Sequence, residues 1–389
     1  MGNVKLFRST DFGANATPLY GNAGYLIPVL EACLVNGYGE QGVSTLTHSA
    51  GTVTVTTTAE HGLTSYSRQT IAGAVESGYN GEFIITVINV AQFTYQASGI
   101  TIDTATGTIT TKTAGAGWTK AFSGTNLAAY RTGAGIRDYL RVSDSSATAT
   151  RVIGYENMTA ISTGTGPFPT TTQMSGGFYW RKNNISSTET QPWIIIADDT
   201  TMYLWIQAGP DDTYSYRAGL YSFGEYISKK GGDLYRSYII GALGEAYNNE
   251  YFSDLTTLDA LTSTSNQGFY SPRSYRQIGA SVPLAKLGDY SLAPGTYMGA
   301  NGLMYPDLID GSLYLNKVRI VELQGVADNN VLRGEFKGVY IYAHYGILPH
   351  ESTFEGTGTL AGKTFMAISC MGTAAVNNHS CLIDISLTW

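Results

Sequence analysis

The sequence predicts a mainly β protein: a β-sandwich-like body interrupted by a small inserted β-sandwich of the immunoglobulin-like kind, with few short helices. Three observations carry that expectation. Charged residues make up 14% of the chain against roughly 25% in an ordinary soluble protein, and glycine, 46 of 389 residues, exceeds the usual ~7%. Such a chain, rich also in Thr and Tyr, suits sheets whose surfaces are covered by neighbours. Short runs alternate apolar and polar residues between Gly, Asn and Ser clusters, as strands do. The style of the text also changes twice, turning to Thr/Val/Ser alternation after Gly39 and back to a Gly/aromatic character at Ala116-Gly-Trp118. We therefore read residues 1–40 and 115–389 as the body and 41–114 as a module inserted into one of its loops.

The first element is a strand over Val4 to Arg8, followed by a polar loop and one compact helix within Leu26 to Gly39. Pro28 falls in a first turn, where a missing N–H is tolerated, and Gly37 falls where a helix stop favours a left-handed residue. Leu26, Leu30, Cys33 and Leu34 share one face, so the helix is expected to be buried. In the insert, Val43 to Thr47, Thr52 to Thr58, Gln69 to Ala72, Glu82 to Val87, Gln92 to Ala97 and Thr108 to Lys112 read as strands at sandwich spacing.

In the body, Thr125 to Arg131 reads as a helical turn, Asp138 to Ser143 and Arg151 to Tyr155 as strands, and Gly164 to Thr172 as an exposed loop. Trp193 to Ala197 and Met202 to Gln207, joined by Asp198-Asp-Thr200, form an antiparallel hairpin. Its first strand is apolar on both faces, Trp193 and Ile195 on one and Ile194 and Ile196 on the other, which predicts burial on both sides. Leu220 to Gly224, Tyr235 to Gly241, Leu313 to Glu322, Val331 to Glu335, Gly338 to Tyr342, Lys363 to Ser369 and Cys381 to Leu387 complete the strands. Glu245 to Arg276 has weak periodicity and reads as a long arm reaching a neighbouring subunit. Trp389 is expected to be tied into a sheet.

The segments Val4-Lys-Leu-Phe-Arg-Ser-Thr-Asp-Phe-Gly, Ala32-Cys-Leu-Val-Asn-Gly-Tyr-Gly, Gly117-Trp-Thr-Lys-Ala-Phe-Ser-Gly-Thr-Asn and Gly299 to Gly311 resemble a family of tailed-bacteriophage virion proteins. The resemblance spans nearly the whole chain, and members of that family can lack the inserted module. Within the insert, Tyr79-Asn-Gly-Glu-Phe-Ile-Ile-Thr followed by Gln92-Phe-Thr-Tyr resembles an immunoglobulin-like module of phage tail and head proteins. These resemblances imply a structural role in a virion assembled in the host cytoplasm, and they supply no catalytic residues.

A net charge of −7 leaves no basic footprint for phosphates, so nucleic acid is not an expected partner. No apolar run approaches the ~20 residues of a membrane helix, and the N-terminus carries no charged-then-apolar signal segment. Cys33, Cys370 and Cys381 form no paired framework; Cys370 and Cys381 flank a turn and are expected to be reduced and buried. There is no Gly-x-Ser-x-Gly elbow, His-Glu-x-x-His, P-loop or dinucleotide fingerprint.

Three groupings invite chemistry. His344, His350, Glu351, Cys370 and His379 gather near the C-terminus, but His-x5-His matches no compact zinc pattern and satisfied loop histidines are the plainer reading. Asp198/Asp199 and Asp211/Asp212 near tryptophans suggest a polysaccharide depolymerase, although Asp pairs in turns are ordinarily turn formers. Tyr179, Trp180 and Trp205, with Trp193 and Tyr203 beside them, form either a core or a platform for a host surface glycan, and these three are the candidate glycan or partner contacts. No catalytic residue, cofactor or metal is assigned. Low charge with abundant Tyr fits interfaces, and the expected partners are other virion proteins and further copies of the chain in a symmetric oligomer, a trimer or one matched to its attachment site.

Overall fold

A computed structural model describes residues 2–11, 17–207, 218–245, 267–287, 309–324, 330–342, 348–371 and 378–389. The chain opens with β1 (Lys5–Arg8) and the helix α1 (Leu26–Leu30), which widens into a π-helical turn over Glu31–Asn36 and stops at Gly37, φ 68°. Leu26, Val29, Leu30, Cys33 and Leu34 face inward and Pro28 faces solvent, as a helix laid on a core requires.

Seven strands follow: β2 (Tyr38–Ser49), β3 (Thr52–Thr57), β4 (Arg68–Ala74), β5 (Gly81–Ile84), β6 (Thr86–Asn89), β7 (Gln92–Gln96) and β8 (Gly107–Thr113). They form a sheet of their own, in the order β5-β4-β8-β2-β3-β7-β6. The long β2 serves both halves, pairing β8 through its first residues and β3 through its last, with a register shift between Val43 and Thr45. The halves close on one core that includes Leu46, Val55, Ile71, Phe93, Tyr95 and Ile109. Strand order departs from the immunoglobulin pattern. With strands lettered A to G, that pattern groups A, B, E, D and C, F, G; here the first, second, sixth and fifth strands share one half, and the third, fourth and seventh the other. The reason is the β4–β5 hairpin, which keeps the fourth strand beside the third. The module is a seven-stranded sandwich with its own topology.

The remaining strands are β9 (Thr119–Gly124), β10 (Leu127–Arg131), β11 (Tyr139–Ser143), β12 (Ala149–Ala160), β13 (Thr163–Phe168), β14 (Phe178–Arg181), β15 (Trp193–Ala197), β16 (Thr201–Gln207), β17 (Ala218–Glu225), β18 (Ile227–Ser228) and β19 (Ser237–Ala242). Then come β20 (Gln267–Ser271), β21 (Val282–Leu287), β22 (Leu315–Glu322), β23 (Val331–Tyr342), β24 (Thr353–Glu355), β25 (Thr364–Met371) and β26 (Asn378–Asp384). With β1 they form one hydrogen-bonded network of 19 strands. Their ribbon folds back on itself, so that β15, β16, β17 and β19 carry a core on each side. Trp193, Ile195, Leu204 and Phe223 point into one, with α1, Tyr130 and Trp180. Ile194, Ile196, Tyr203 and Leu220 point into the other, with Ile320, Phe336 and Ile383. The two-sided apolar reading of Trp193 to Ala197 matches this placement.

Two further expectations are corrected. Leu127 to Arg131 is a strand, because it is hydrogen-bonded to β9 on one side and β11 on the other, and pairing outweighs the helical propensity of its Leu, Ala and Arg residues. Residues 163–168 are a strand as well, pairing with the outer half of β12. The residues 246–266 of the supposed arm lie outside the described structure, and residues 267–271 are β20. The indole of Trp389 donates to Asp384 O at 2.7 Å and its ring meets Tyr203 edge-on, tying it to the sheet. Cys381 is buried and unpaired, opposite Ile368, and strand register sets Cys370 opposite His379.

Candidate functional site

The structure does not bring Tyr179, Trp180 and Trp205 together. Alternation along β14 turns Trp180 inward, 0% exposed, where its indole donates to Ile240 O at 2.9 Å and stacks on Tyr221. Trp205 lies across the middle sheet in the other core, 6% exposed, its indole donating to Ser369 O at 3.0 Å. Tyr179 faces the opposite side of β14, half-buried, with the Arg151 guanidinium 3.8 Å from its ring centre. That is a cation–π contact at the surface.

Asp198 is a turn former. Its Oδ1 accepts from the backbone N–H groups of Thr200 and Thr201, each at 2.7 Å, and Asp199 accepts from Gly2 N at 2.9 Å. Asp211 and Asp212 lie outside the described residues.

The polar groups that do converge sit where β1, the module and the segment before β25 meet. Arg8, at the end of β1, donates through Nε to Glu351 at 2.6 Å and through Nη1 to Thr64 Oγ1 at 2.5 Å and Ser65 O at 3.3 Å. Asp11 accepts from both the N–H and the hydroxyl of Thr64, at 3.0 and 2.6 Å. Burial pushes the Asp11 carboxyl up to about 6, against the pull of Thr64 and Arg8. Beside it His350 stacks on Trp205, ring centres 4.3 Å apart, and accepts from Ser369 N at 3.2 Å; burial lowers its pKa.

Two residues at this junction, Tyr66 and Glu351, hold left-handed backbone, φ 71° and 62°. Strain of this kind persists only where surrounding contacts fix it. Nearby, Lys5 pairs with Glu82 at 2.8 Å and also donates to Gly115 O, and Arg68 donates to Val4 O at 3.1 Å. Chemically, the arrangement clamps the module onto the body through charge-assisted hydrogen bonds.

A second buried group surrounds Asp138, whose carboxyl is pushed up to about 7 by burial, with Ser237 and Arg131 opposing and the Glu156 and Glu225 charges adding. Glu225 pairs with Arg236 at 2.7 Å and accepts from Ile136 N, while Arg273 grips both oxygens of Glu156 at 2.8 and 2.9 Å. Among the described residues no group of three or more His, Cys, Asp or Glu is arranged to hold a metal ion. His344 and the side chains of Cys370 and His379 lie outside them.

Sequence reasoning did not single out Arg8, Asp11 or Asp138. The available signal was a charge set into an apolar strand, as Lys5 and Arg8 are in Val4-Lys-Leu-Phe-Arg.

No protein-family model matches the chain, and no curated protein matches its sequence. Among solved structures, phage phi92 endosialidase is similar over 91% of this chain and 52% of its own length, at 11% identity and a TM-score of 0.18. The chain thus spans about half of that protein, and a likeness of that strength carries no argument about activity. No helix among the described residues is long and apolar enough to cross a membrane, which leaves strands unaddressed.

Proposed function

We propose that the chain is a non-enzymatic structural component of a tailed-phage particle, its body held in the assembly and its seven-stranded module displayed from it. The observation that carries this is how the module is attached. It leaves and returns at one point: Tyr38 pairs with Thr113, Ala116 N donates to Cys33 O at 2.9 Å, and Trp118 N donates to Leu34 O at 3.0 Å. The clamp at Arg8, Asp11 and Lys5 then fixes its orientation. Its edge strand β6 and the adjoining turn leave Ile88 and Val90 exposed, which suits contact with a neighbouring protein. The sequence resemblance and the low charge support the same reading. The partners are other particle proteins and copies of the chain itself.

Antibody labelling of intact particles of the encoding phage, viewed by electron microscopy, tests this. Label at one fixed location is expected; head label makes the chain a decoration or appendage protein, tail label a tail or baseplate component. Protein found only in the soluble lysate, with unlabelled particles, overturns the proposal. The rival role in glycan binding now rests on Tyr179, the one candidate ring of the three left half-buried, and a glycan array without Tyr179-dependent binding removes it.

A further inference from the structure

Lys182 and Asp144 form the one ion pair among the described residues in which both side chains are 0% exposed. Lys182 follows β14 and Asp144 follows β11, and both strands pair with β12. Nζ lies 2.5 Å from Asp144 Oδ1 and also donates to two backbone carbonyls, Asn22 O at 2.6 Å and Ser146 O at 2.9 Å. Asp144 in turn accepts from the Thr150 hydroxyl on Oδ1 at 2.6 Å and from the Leu26 backbone N–H on Oδ2 at 2.7 Å. Other Lys–carboxylate pairs differ: Lys363 beside Asp384 and Lys317 beside Glu335 are partly exposed, and Lys337 stands 3.9 Å from Asp198.

We propose that Lys182 and Asp144 join in an autocatalytic intramolecular isopeptide bond. A dry site disfavours two separated charges, and burial lowers the Lys182 pKa while Asp144 opposes it, so transfer of one proton from Nζ to Oδ1 gives a neutral amine and a neutral acid. The two carbonyls, Asn22 O and Ser146 O, then hold the amine's two hydrogens, so that its lone pair, freed by that transfer, is turned toward the Asp144 carboxyl. Attack forms the Nζ–Cγ bond and moves the carbonyl electron pair to Oδ2, where the Leu26 N–H stabilises the oxyanion. Collapse breaks the Cγ–Oδ1 bond. Oδ1 leaves as water with both protons given up by Nζ, the Thr150 hydroxyl supporting it as it departs, and Nζ keeps one hydrogen as the amide N–H. Fixed proximity supplies the driving geometry, as in other intramolecular acyl transfers. The product ties the ends of β11 and β14 together.

The mass of the intact, denatured full chain tests this. The expected result is a species lighter than the sequence mass by one water, with a branched tryptic peptide joining the Lys182 and Asp144 segments and no cleavage after Lys182. Asp144→Ala and Lys182→Arg restore the full mass, Asp144→Asn loses ammonia in place of water, and Thr150→Val lowers the cross-linked fraction. The wild-type chain decides the matter even where a variant does not fold. Full sequence mass with trypsin cutting after Lys182 overturns the proposal, and so does a water loss that maps to a succinimide with no branched peptide.

Discussion

The middle sheet of the body and the inserted module are both antiparallel, yet they are built from different text. Every residue of β15, β17 and β19 is buried, whereas β3 and β7 alternate buried positions with half-buried or exposed ones. The cause is the number of cores: two flank the middle sheet, one fills the module. Among the described residues the fully buried ion pairs follow the same division. The body buries Lys182 with Asp144, and Arg333 with Glu322 and Asp233. The module stitches its sheet with neutral groups, as where Gln69 donates to Thr113 and accepts from Thr111.

The largest expected effect comes from removing one ring from each region. Trp180→Ala in the body and Phe93→Ala in the module should each cost about 3–5 kcal/mol. If the regions fold as separate units, the first shifts only the body's transition and the second only the module's, as read by calorimetry. A single transition that both variants shift alike breaks the comparison.

The pH dependence is smaller and comes from buried groups of both regions, the acids of the body and a module histidine, His61, whose pKa burial lowers. Asp138 and Asp11 have folded pKa values raised to about 7 and about 6 from 3.8, so they contribute stability present at low pH and lost as pH rises through those values. His350 is lowered from 6.5, so its contribution is lost as pH falls below that value. Stability should therefore rise as pH falls from about 8, by about 1 kcal/mol down to about pH 6.5 and further toward about pH 4 as Asp11 joins Asp138, with His350 opposing the rise below 6.5. Asp138→Asn should flatten that rise in denaturant titrations. A wild-type profile already flat there contradicts the buried-acid account.

Breaking the exposed pair Lys317–Glu335, 2.8 Å apart, by Lys317→Ala should cost at most about 1 kcal/mol. Ile88→Ser on the module's edge should change the stability of the isolated chain by no more than about 0.5 kcal/mol while weakening particle incorporation. Loss of folding in Ile88→Ser identifies that residue as core instead of contact.

Strands were legible wherever periodicity was enforced by burial. Trp193 to Ala197 showed its two apolar faces, and the Thr/Val alternation after Gly39 showed a separate style of sheet. Strands with weak sequence preference were hidden: Leu127 to Arg131 contains two alanines, and residues 163–168 are rich in Gly and Thr, so only pairing decides them. The candidate glycan residues looked like one cluster because sequence cannot show that Trp180 and Trp205 enter different cores. The clamp was invisible for a related reason, since Arg8, Thr64 and Glu351 are far apart in the chain and meet only after the ribbon folds back. Asp144 and Lys182 likewise lie 38 residues apart.

The central claim is that the body is a self-sufficient scaffold from which the module is displayed. Calorimetry of the full chain beside a chain with residues 42–114 removed tests it most directly. The account predicts that the shortened chain keeps a cooperative body transition, lowered by the lost contacts of Thr64, Ser65, Tyr66, Arg68 and Glu82 with the body, while the module's transition disappears. A shortened chain that aggregates or melts without cooperativity contradicts it.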